Sequence, residues 1–398
     1  MRLLPAGGVL LERLEDEPPV YLVGGALRDL LMSGSPAELD LVVEGDPMAV
    51  ATRLGGEAVV HDRFGTSTVR LDGFRYDIAR ARRERYARPG ALPDVEPASL
   101  KDDLQRRDFT VNAIATALGG EAAGALKAVP GALADLQARL LRVLHDRSFS
   151  DDPTRLLRLA RYRGRLGFEI EPRTLELALA AIAAGALASV SGSRIGAELR
   201  LLGREPDPVA ALIALRELGL DAAIHRGFGL TDPELGRRAL ALLPSDGRHS
   251  VLVLGAAALE IPPQELRGTL DGLAFSASER EAIVATAVGA ERLADSLGRV
   301  RRPSEIAAAA GEASPELVAL AGSLGAAEAA REWLDHLRHV RLEIDGRDLL
   351  AAGVPEGPSV GRALRAALAA KLEGRAPDRE AELAVALRAA NESPPGGR

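Results

Sequence analysis

Three clusters of polar residues stand out in this chain because each combines groups that phosphate chemistry requires. The first is Val23-Gly24-Gly25-Ala26-Leu27-Arg28-Asp29, followed by Glu38-Leu39-Asp40. Two glycines where an apolar run gives way to a helical pattern let the backbone approach a phosphate. The helix N-terminus behind them offers free N–H groups and a positive dipole end, and Arg28, one turn in, adds a charged fork. Glu38 and Asp40 lie two apart in a β-rich stretch, so both carboxylates face one side of a strand. Hard oxygen ligands of that kind suit Mg2+ bound together with substrate phosphates, the arrangement that two-metal phosphoryl transfer uses. Alone, a glycine pair fits a plain turn and an acidic pair fits the wet face of an edge strand. Together and in this order they favour the chemical reading.

The second cluster is Arg106-Arg107-Asp108-Phe109-Thr110-Val111-Asn112-Ala113. Two arginines, an aspartate and an asparagine in an apolar stretch with helical spacing are costly to bury unless paired. They either contact a polar ligand such as a ribose triphosphate or form an internal ion pair. The third runs from Asp151-Asp152-Pro153-Thr154 through Arg155, Arg158 and Arg161 to Tyr162-Arg163. Arginines at every third position, three residues after Asp152, form one polar stripe on a helix. An aspartate and an arginine held side by side can pair with the edge of a base. Equally, Asp152 can be an N-cap ahead of Pro153, with the arginines a solvated face.

The elements that must carry these residues are mixed at first and helical afterwards. Residues 20–23, 39–43, 58–61, 67–71 and 75–79 read as strands and residues 26–32 as a helix, with Asp72-Gly73 a strong hairpin signal between the last two strands. From about Pro153 apolar residues recur every three or four positions, broken near residues 203–208, 243–247, 261–263 and 301–304. The expected class is therefore α+β, a small mixed-sheet head followed by helices. Residues 392–398 are rich in Ser, Pro and Gly and are expected to be disordered.

Composition narrows the function classes. The chain has 398 residues, no cysteine, a formal net charge of −7 and only three percent aromatics. The length predicts two or more domains. The lack of cysteine removes disulfides and thiolate metal sites and fits a reducing interior. Acidic balance weighs against non-specific coating of nucleic acid, although lysine occurs only at Lys101, Lys127 and Lys371 and arginine supplies the rest of the cations. No apolar stretch reaches the roughly 20 residues of a spanning helix, so a cytoplasmic protein with no membrane partner is expected. The histidines, including His61-Asp62, His145-Asp146, His336 and His339, lack the further ligands of a metal site and read as structural or surface residues. No P-loop and no Gly-x-Ser-x-Gly elbow is present.

In this order and spacing the three clusters resemble the class II tRNA nucleotidyltransferases, the CCA-adding family that also includes bacterial poly(A) polymerases. Weaker likeness continues through residues 191–202 and 344–368. The resemblance implies a nucleotidyltransferase head at residues 1–145, a helical neck with a base-selecting helix at 146–203, a helical body at 204–300 and a helical tail at 301–398. It implies that Glu38 and Asp40 bind catalytic Mg2+, and that Gly24, Gly25, Arg28 and Arg107 contact the incoming nucleotide. Asp152, Arg155, Arg158 and Arg161 select the base and hold the triphosphate. Asp77 is either a third carboxylate that activates the 3′-hydroxyl or an exposed strand residue, and Asp108 and Asn112 either orient the ribose or brace the motif. The implied partners are CTP, ATP and the 3′ end, acceptor stem and upper half of tRNA.

Two residues depart from the family pattern. Glu38 stands where the family usually has Asp, and Asp151 where it usually has Glu. The competing activities are complete CCA addition, CC-only or A-only addition, and poly(A) synthesis. Residues 61–67 read closer to the tRNA enzymes, and residues 82–99 form a full-length flexible loop that disfavours a CC-only enzyme. A non-catalytic tRNA-binding protein with a weakened metal site is the alternative from another class, and Glu38 alone favours it.

Overall fold

The computed structural model describes residues 5–14, 20–36, 38–61 and 66–391. It divides into two compact units, residues 1–198 with 217–223, and residues 199–216 with 224–398. In the first unit the elements run α1 (Pro5–Arg13), β1 (Val20–Val23), α2 (Gly24–Leu31), β2 (Glu38–Val43), α3 (Pro47–Leu54), β3 (Glu57–His61), β4 (Thr66–Leu71) and β5 (Phe74–Arg80). There follow β6 (Arg82–Arg85), β7 (Asp94–Pro97), α4 (Leu100–Gln105), β8 (Ile114–Ala117), β9 (Leu126–Ala128), α5 (Ala132–Ala138), β10 (Leu140–Leu141), α6 (Ser148–Asp151) and α7 (Thr154–Leu166). Last come β11 (Glu169–Ile170), α8 (Pro172–Ala183) and α9 (Gly192–Leu202), the last of which ends across the division between the units.

Seven strands make one sheet in the order β3-β4-β5-β2-β1-β8-β9. Within it β2 and β5 are parallel, while the other described pairs are antiparallel. The alternation Glu38-Leu39-Asp40-Leu41 in the first part of β2, with burial pattern exposed-buried-exposed-buried, explains its orientation. Leu39, Leu41 and Val43 pack with Leu22, Leu27, Val50, Leu54 and Ile78 in a core on one face. Leu39 and Leu41 are each 1% exposed, and burial of such a side chain stabilises by about 1.5–3 kcal/mol. A one-residue slip would invert every side chain, so this core fixes Glu38, Asp40 and Val42 on the opposite face. There Val42 joins Tyr21, Val23, Leu100, Leu104, Ala115 and Ala117, leaving Glu38 and Asp40 beyond the apolar patch.

The β4–β5 hairpin turns at Asp72 (φ 51°) and Gly73 (φ 81°), the two left-handed positions that a type I′ turn requires. The second cluster differs from its helical expectation. Helix α4 starts with a Ser99/Asp102 capping box and stops at Gln105. Thr110–Asn112 is a 3-10 turn, and the chain then enters β8. Val111, Ala113 and Ile114 are fully buried, and Ile114 joins the core of the sheet, so this apolar run serves a buried turn and strand rather than a helix face. Residues 82–97, expected to lie in a flexible loop, pair as the antiparallel ribbon β6–β7, with Arg82 opposite Pro97 and Arg85 opposite Asp94.

In the second unit the elements after the first residues are helices, from Pro208–Glu217 to Arg379–Asn391. Breaks between helices fall at 203–207, 243–248, 258–262 and 299–302, where Gly, Pro and charged residues interrupt the helical spacing. The small core at its C-terminal end joins Ile344, Leu349, Val354, Ala363, Ala367 and Ala386. Beneath it Glu382, fully buried, accepts from the backbone N–H of Glu343 and Ile344 and from Lys371. Among the described residues no helix is long and apolar enough to cross a membrane. The disorder expected for residues 392–398, and most of the segment at 61–67, lie outside the described residues.

Candidate active site

A cavity of about 310 Å³ in the first unit gathers residues from all three clusters. Its walls include Gly24, Gly25, Asp40, Arg107, Asp108, Asn112, Asp152, Arg155 and Arg158, together with Glu84, Tyr86, Arg106, Thr154 and Tyr162. The glycine turn is held open by sterics. Gly24 has φ 70°, and a Cβ there would lie 2.7 Å from Arg107 Nη1, so a side chain would be strained and would displace the guanidinium.

Arg107 is held by Asp103, which accepts from its Nη2 at 3.0 Å, while Nη1 reaches the Asn112 carbonyl at 3.4 Å. Its Nε is buried and has no hydrogen-bond partner among the described residues. A buried donor without a partner is costly unless a ligand satisfies it. Asp103 is fully buried and also takes Arg106 through Nε and Nη2 at 3.0 and 2.8 Å. Burial works to raise its pKa, but Arg107 and Arg106 outweigh that and keep it below the ordinary carboxylate value.

Asp40 lies beside Arg107 and directly opposite Asp77 on β5. Burial raises its pKa, Arg107 opposes this, and the negative charges of Asp77 and Glu38 raise it further, leaving it above the ordinary value. Glu38 and Asp77 lie outside the cavity lining but on the same sheet face, and Arg75 bridges them at 3.4 and 3.0 Å. Asp77 also accepts from Thr68 Oγ1 at 2.7 Å.

This donor set fits a hard divalent cation. The Asp40 carboxylate accepts no hydrogen bond from the described residues, three carboxylates share one face, and a guanidinium already bridges two of them. No three acidic or histidine side chains converge among the described residues. A cation here would therefore combine one or two carboxylates with substrate oxygens, the usual habit of Mg2+.

The arginine stripe is not a solvated face. Arg155 is 5% exposed and donates to Ser148 Oγ and to the Arg106 carbonyl, both at 2.7 Å. Arg158 donates to Asp108 through Nε at 2.8 Å and Nη2 at 2.5 Å. Burial of Asp108 would raise its pKa, but Arg158, then Asn112 and the Phe109 N–H, hold it far below the carboxylate range. Arg161 pairs with Glu198 at 3.3 Å and lies 4.8 Å from the Tyr162 ring centroid. Just ahead of α7, whose N-cap position is Pro153, Asp152 Oδ1 accepts from Thr154 N and Oγ1.

Arg28 is 1% exposed and faces inward. It donates to Asp29 and to Asn112 Oδ1 at 2.6 Å and stacks 5.4 Å from the Tyr162 centroid. Arg28 and Arg161 therefore brace the cavity from behind, through Asn112 and Tyr162, and neither is among its lining residues.

Glu84 and Tyr86 were absent from the sequence reading. Tyr86 donates to Glu84 Oε2 at 3.0 Å, and Glu84 Oε1 accepts from Arg106 at 2.8 Å. Burial, then the Glu84 carboxylate, push the Tyr86 phenol well above its usual value. The alternation Arg82-Arg83-Glu84-Arg85-Tyr86 was the available signal, since every second residue turns to one face of a strand.

Residues 20–142 match the family model described as the poly A polymerase head domain. An A-adding tRNA nucleotidyltransferase of Geobacter sulfurreducens is 36% identical over 95% of this chain and 46% of its own length. A CC-adding tRNA nucleotidyltransferase of Deinococcus radiodurans is 35% identical over 89% of this chain and 85% of its own. The solved structure of a Thermotoga maritima CCA-adding enzyme complexed with tRNA superposes with a TM-score of 0.72 at 28% identity, covering 93% of this chain and 91% of that one. The chain spans about half the length, or less, of the A-adding relatives it matches.

Proposed function

The chain belongs to the class II tRNA nucleotidyltransferase family, and we propose that it adds C and/or A to the 3′ end of tRNA from CTP and ATP, without a nucleic-acid template. The family uses divalent cations, and Mg2+ is the proposed one. The observation that carries the reading is the single cavity lined at once by Asp40, by Arg107 with its unsatisfied Nε, and by Asp152 and Arg155.

In the proposed reaction the RNA 3′-hydroxyl attacks the α-phosphate in line, the bond to the bridging oxygen breaks, and pyrophosphate leaves. Mg2+ held by Glu38 and Asp40 would lower the cost of charge on the attacking and leaving oxygens. Arg107 offers its Nε to the triphosphate, and the Gly24-Gly25 backbone lets the phosphates approach. Asp77, as a third carboxylate on that face, would take the proton that the 3′-hydroxyl gives up as it attacks. Asp108 and Asn112 hold Arg158 and Arg28 in place behind the sugar site.

Asp152 and Arg155 stand in for a template strand. C and A both present an amino donor where U and G present a carbonyl. A fixed carboxylate accepts from the first pair and repels the second. The test is product sequencing after incubation with tRNAs that end before, within or after CCA, supplied with CTP, ATP or both. Absence of incorporation with every primer would overturn it.

A further inference from the structure

Arg194, on α9, belongs to none of the three clusters and does not line the cavity, yet it ties together two of the cavity's walls. Its Nη2 donates to Asp152 Oδ1 at 2.6 Å, and its Nη1 donates to the Gly90 carbonyl at 3.1 Å, in the turn that joins β6 to β7. Gly90 has φ 71°, and a Cβ there would lie 2.1 Å from Ser189 Oγ. The turn is thus seated against the residues just before α9.

Asp152 Oδ1 accepts from three donors, Arg194 Nη2, Thr154 N and Thr154 Oγ1. That fills the oxygen's acceptor capacity and restrains the carboxyl torsion, which is otherwise soft. Oδ2 is left as the acceptor without a donor among the described residues. The ribbon is tied to the other base-facing residue as well. Tyr86 bonds Glu84, Glu84 bonds Arg106, and the Arg106 carbonyl accepts from Arg155.

We propose that Arg194 is a positioning residue for nucleotide choice: by pinning Oδ1 of Asp152 and the β6–β7 turn together, it leaves one fixed acceptor for the amino group of an incoming base. The proposal rests on the base-reading role given above to Asp152 and Arg155. Without Arg194 the carboxylate turns more freely, accepts less well from the amino group of C or A, and repels the carbonyl of U or G less. Triphosphate contacts lie elsewhere and persist.

The experiment measures binding of ATP, CTP, UTP and GTP to the full chain with Mg2+, by calorimetry and without RNA, for wild type, Arg194→Met, Arg194→Lys and Thr154→Val. Wild type is expected to prefer ATP, CTP or both over UTP. Arg194→Met should lose about tenfold of that preference, the discrimination of one good base contact, while its best nucleotide weakens far less. Arg194→Lys should keep part of the preference, and Thr154→Val should lose a smaller part. Should Arg194→Met fail to fold, as seen by circular dichroism, the lysine and valine variants decide. An unchanged preference in the folded variants, equal weakening toward all four nucleotides, or no preference in wild type overturns the proposal. Transfer to tRNA is measured separately. Preference without transfer would overturn the proposed function and leave this inference standing on the binding ratios.

Discussion

Asp40 and Asp77 stand directly opposite each other on the parallel strands β2 and β5, in register on one sheet face. Like charges so placed are destabilising. Asp77 has Thr68 and Arg75 as partners, whereas Asp40 accepts no hydrogen bond from the described residues. The sheet therefore holds an electrostatic conflict that a bound cation would relieve.

The folded pKa of Asp40 lies above the ordinary 3.8, so between those two values the folded chain binds more protons than the unfolded one. Ionised Asp40 thus weakens the fold as pH rises through that window, and the penalty is absent below 3.8. Asp40→Asn should melt at a higher temperature than wild type at pH about 7, with the gap closing as pH falls. Mg2+ should raise the melting temperature of wild type and leave the variant unmoved. Thermal melts with and without the cation check both statements.

Asp108 behaves in the opposite sense. Its folded pKa lies far below the ordinary 3.8, so its contribution is present above that value and lost as pH falls through the folded one. Asp108→Asn should cost on the order of 2–3 kcal/mol at neutral pH, toward the low end for a broken buried pair because Arg158 keeps partial solvent contact. Urea denaturation at neutral pH, then at pH about 3, should show that difference shrinking.

Much of the head was legible because Glu38-Leu39-Asp40-Leu41 alternates polar and apolar residues and Asp72-Gly73 admits few conformations. The helix at 26–32 and the strands at 39–43 and 75–79 followed from the same patterns. The second cluster misled because Val111 and Ala113 are buried in a turn and Ile114 in the sheet core, and apolar spacing over so few residues does not separate a helix from a turn and strand. The arginine stripe was ambiguous for a different reason. An arginine such as Arg28 or Arg161 is buried only if distant carboxylates, amides or rings meet it. Here those are Asn112, Glu198 and Tyr162, and sequence spacing does not bring them near. Glu84 and Tyr86 were hidden in the same way, since the partner that fixes Glu84 is Arg106, which the fold returns to it.

Tyr86 offers a ring on the cavity wall and an OH bonded to Glu84. Tyr86→Ala should raise the nucleotide KM by roughly tenfold, the effect of one lost stacking contact, with less change in kcat. Tyr86→Phe should remain near wild type. Steady-state incorporation at varied ATP and CTP separates the two parameters. Equal KM changes in both variants would show that the OH, and not the ring, is what matters.

Glu38 is one methylene longer than aspartate and half-paired to Arg75 at 3.4 Å. If it serves as a cation ligand, Glu38→Asp should keep activity within about tenfold and Glu38→Ala should lose on the order of a hundredfold. Raising Mg2+ should rescue part of the alanine variant. Transfer assays across a Mg2+ titration measure this, and an alanine variant as active as wild type would remove Glu38 from the site.

The most direct measurement is transfer of a labelled nucleotide to tRNA lacking its 3′ end, by wild type and by Asp40→Asn, with tRNA affinity measured alongside. The account predicts extension by C and/or A with pyrophosphate release in wild type. It predicts a loss of at least on the order of a thousandfold in the variant at unchanged tRNA affinity. Extension by Asp40→Asn at the wild-type rate would contradict it.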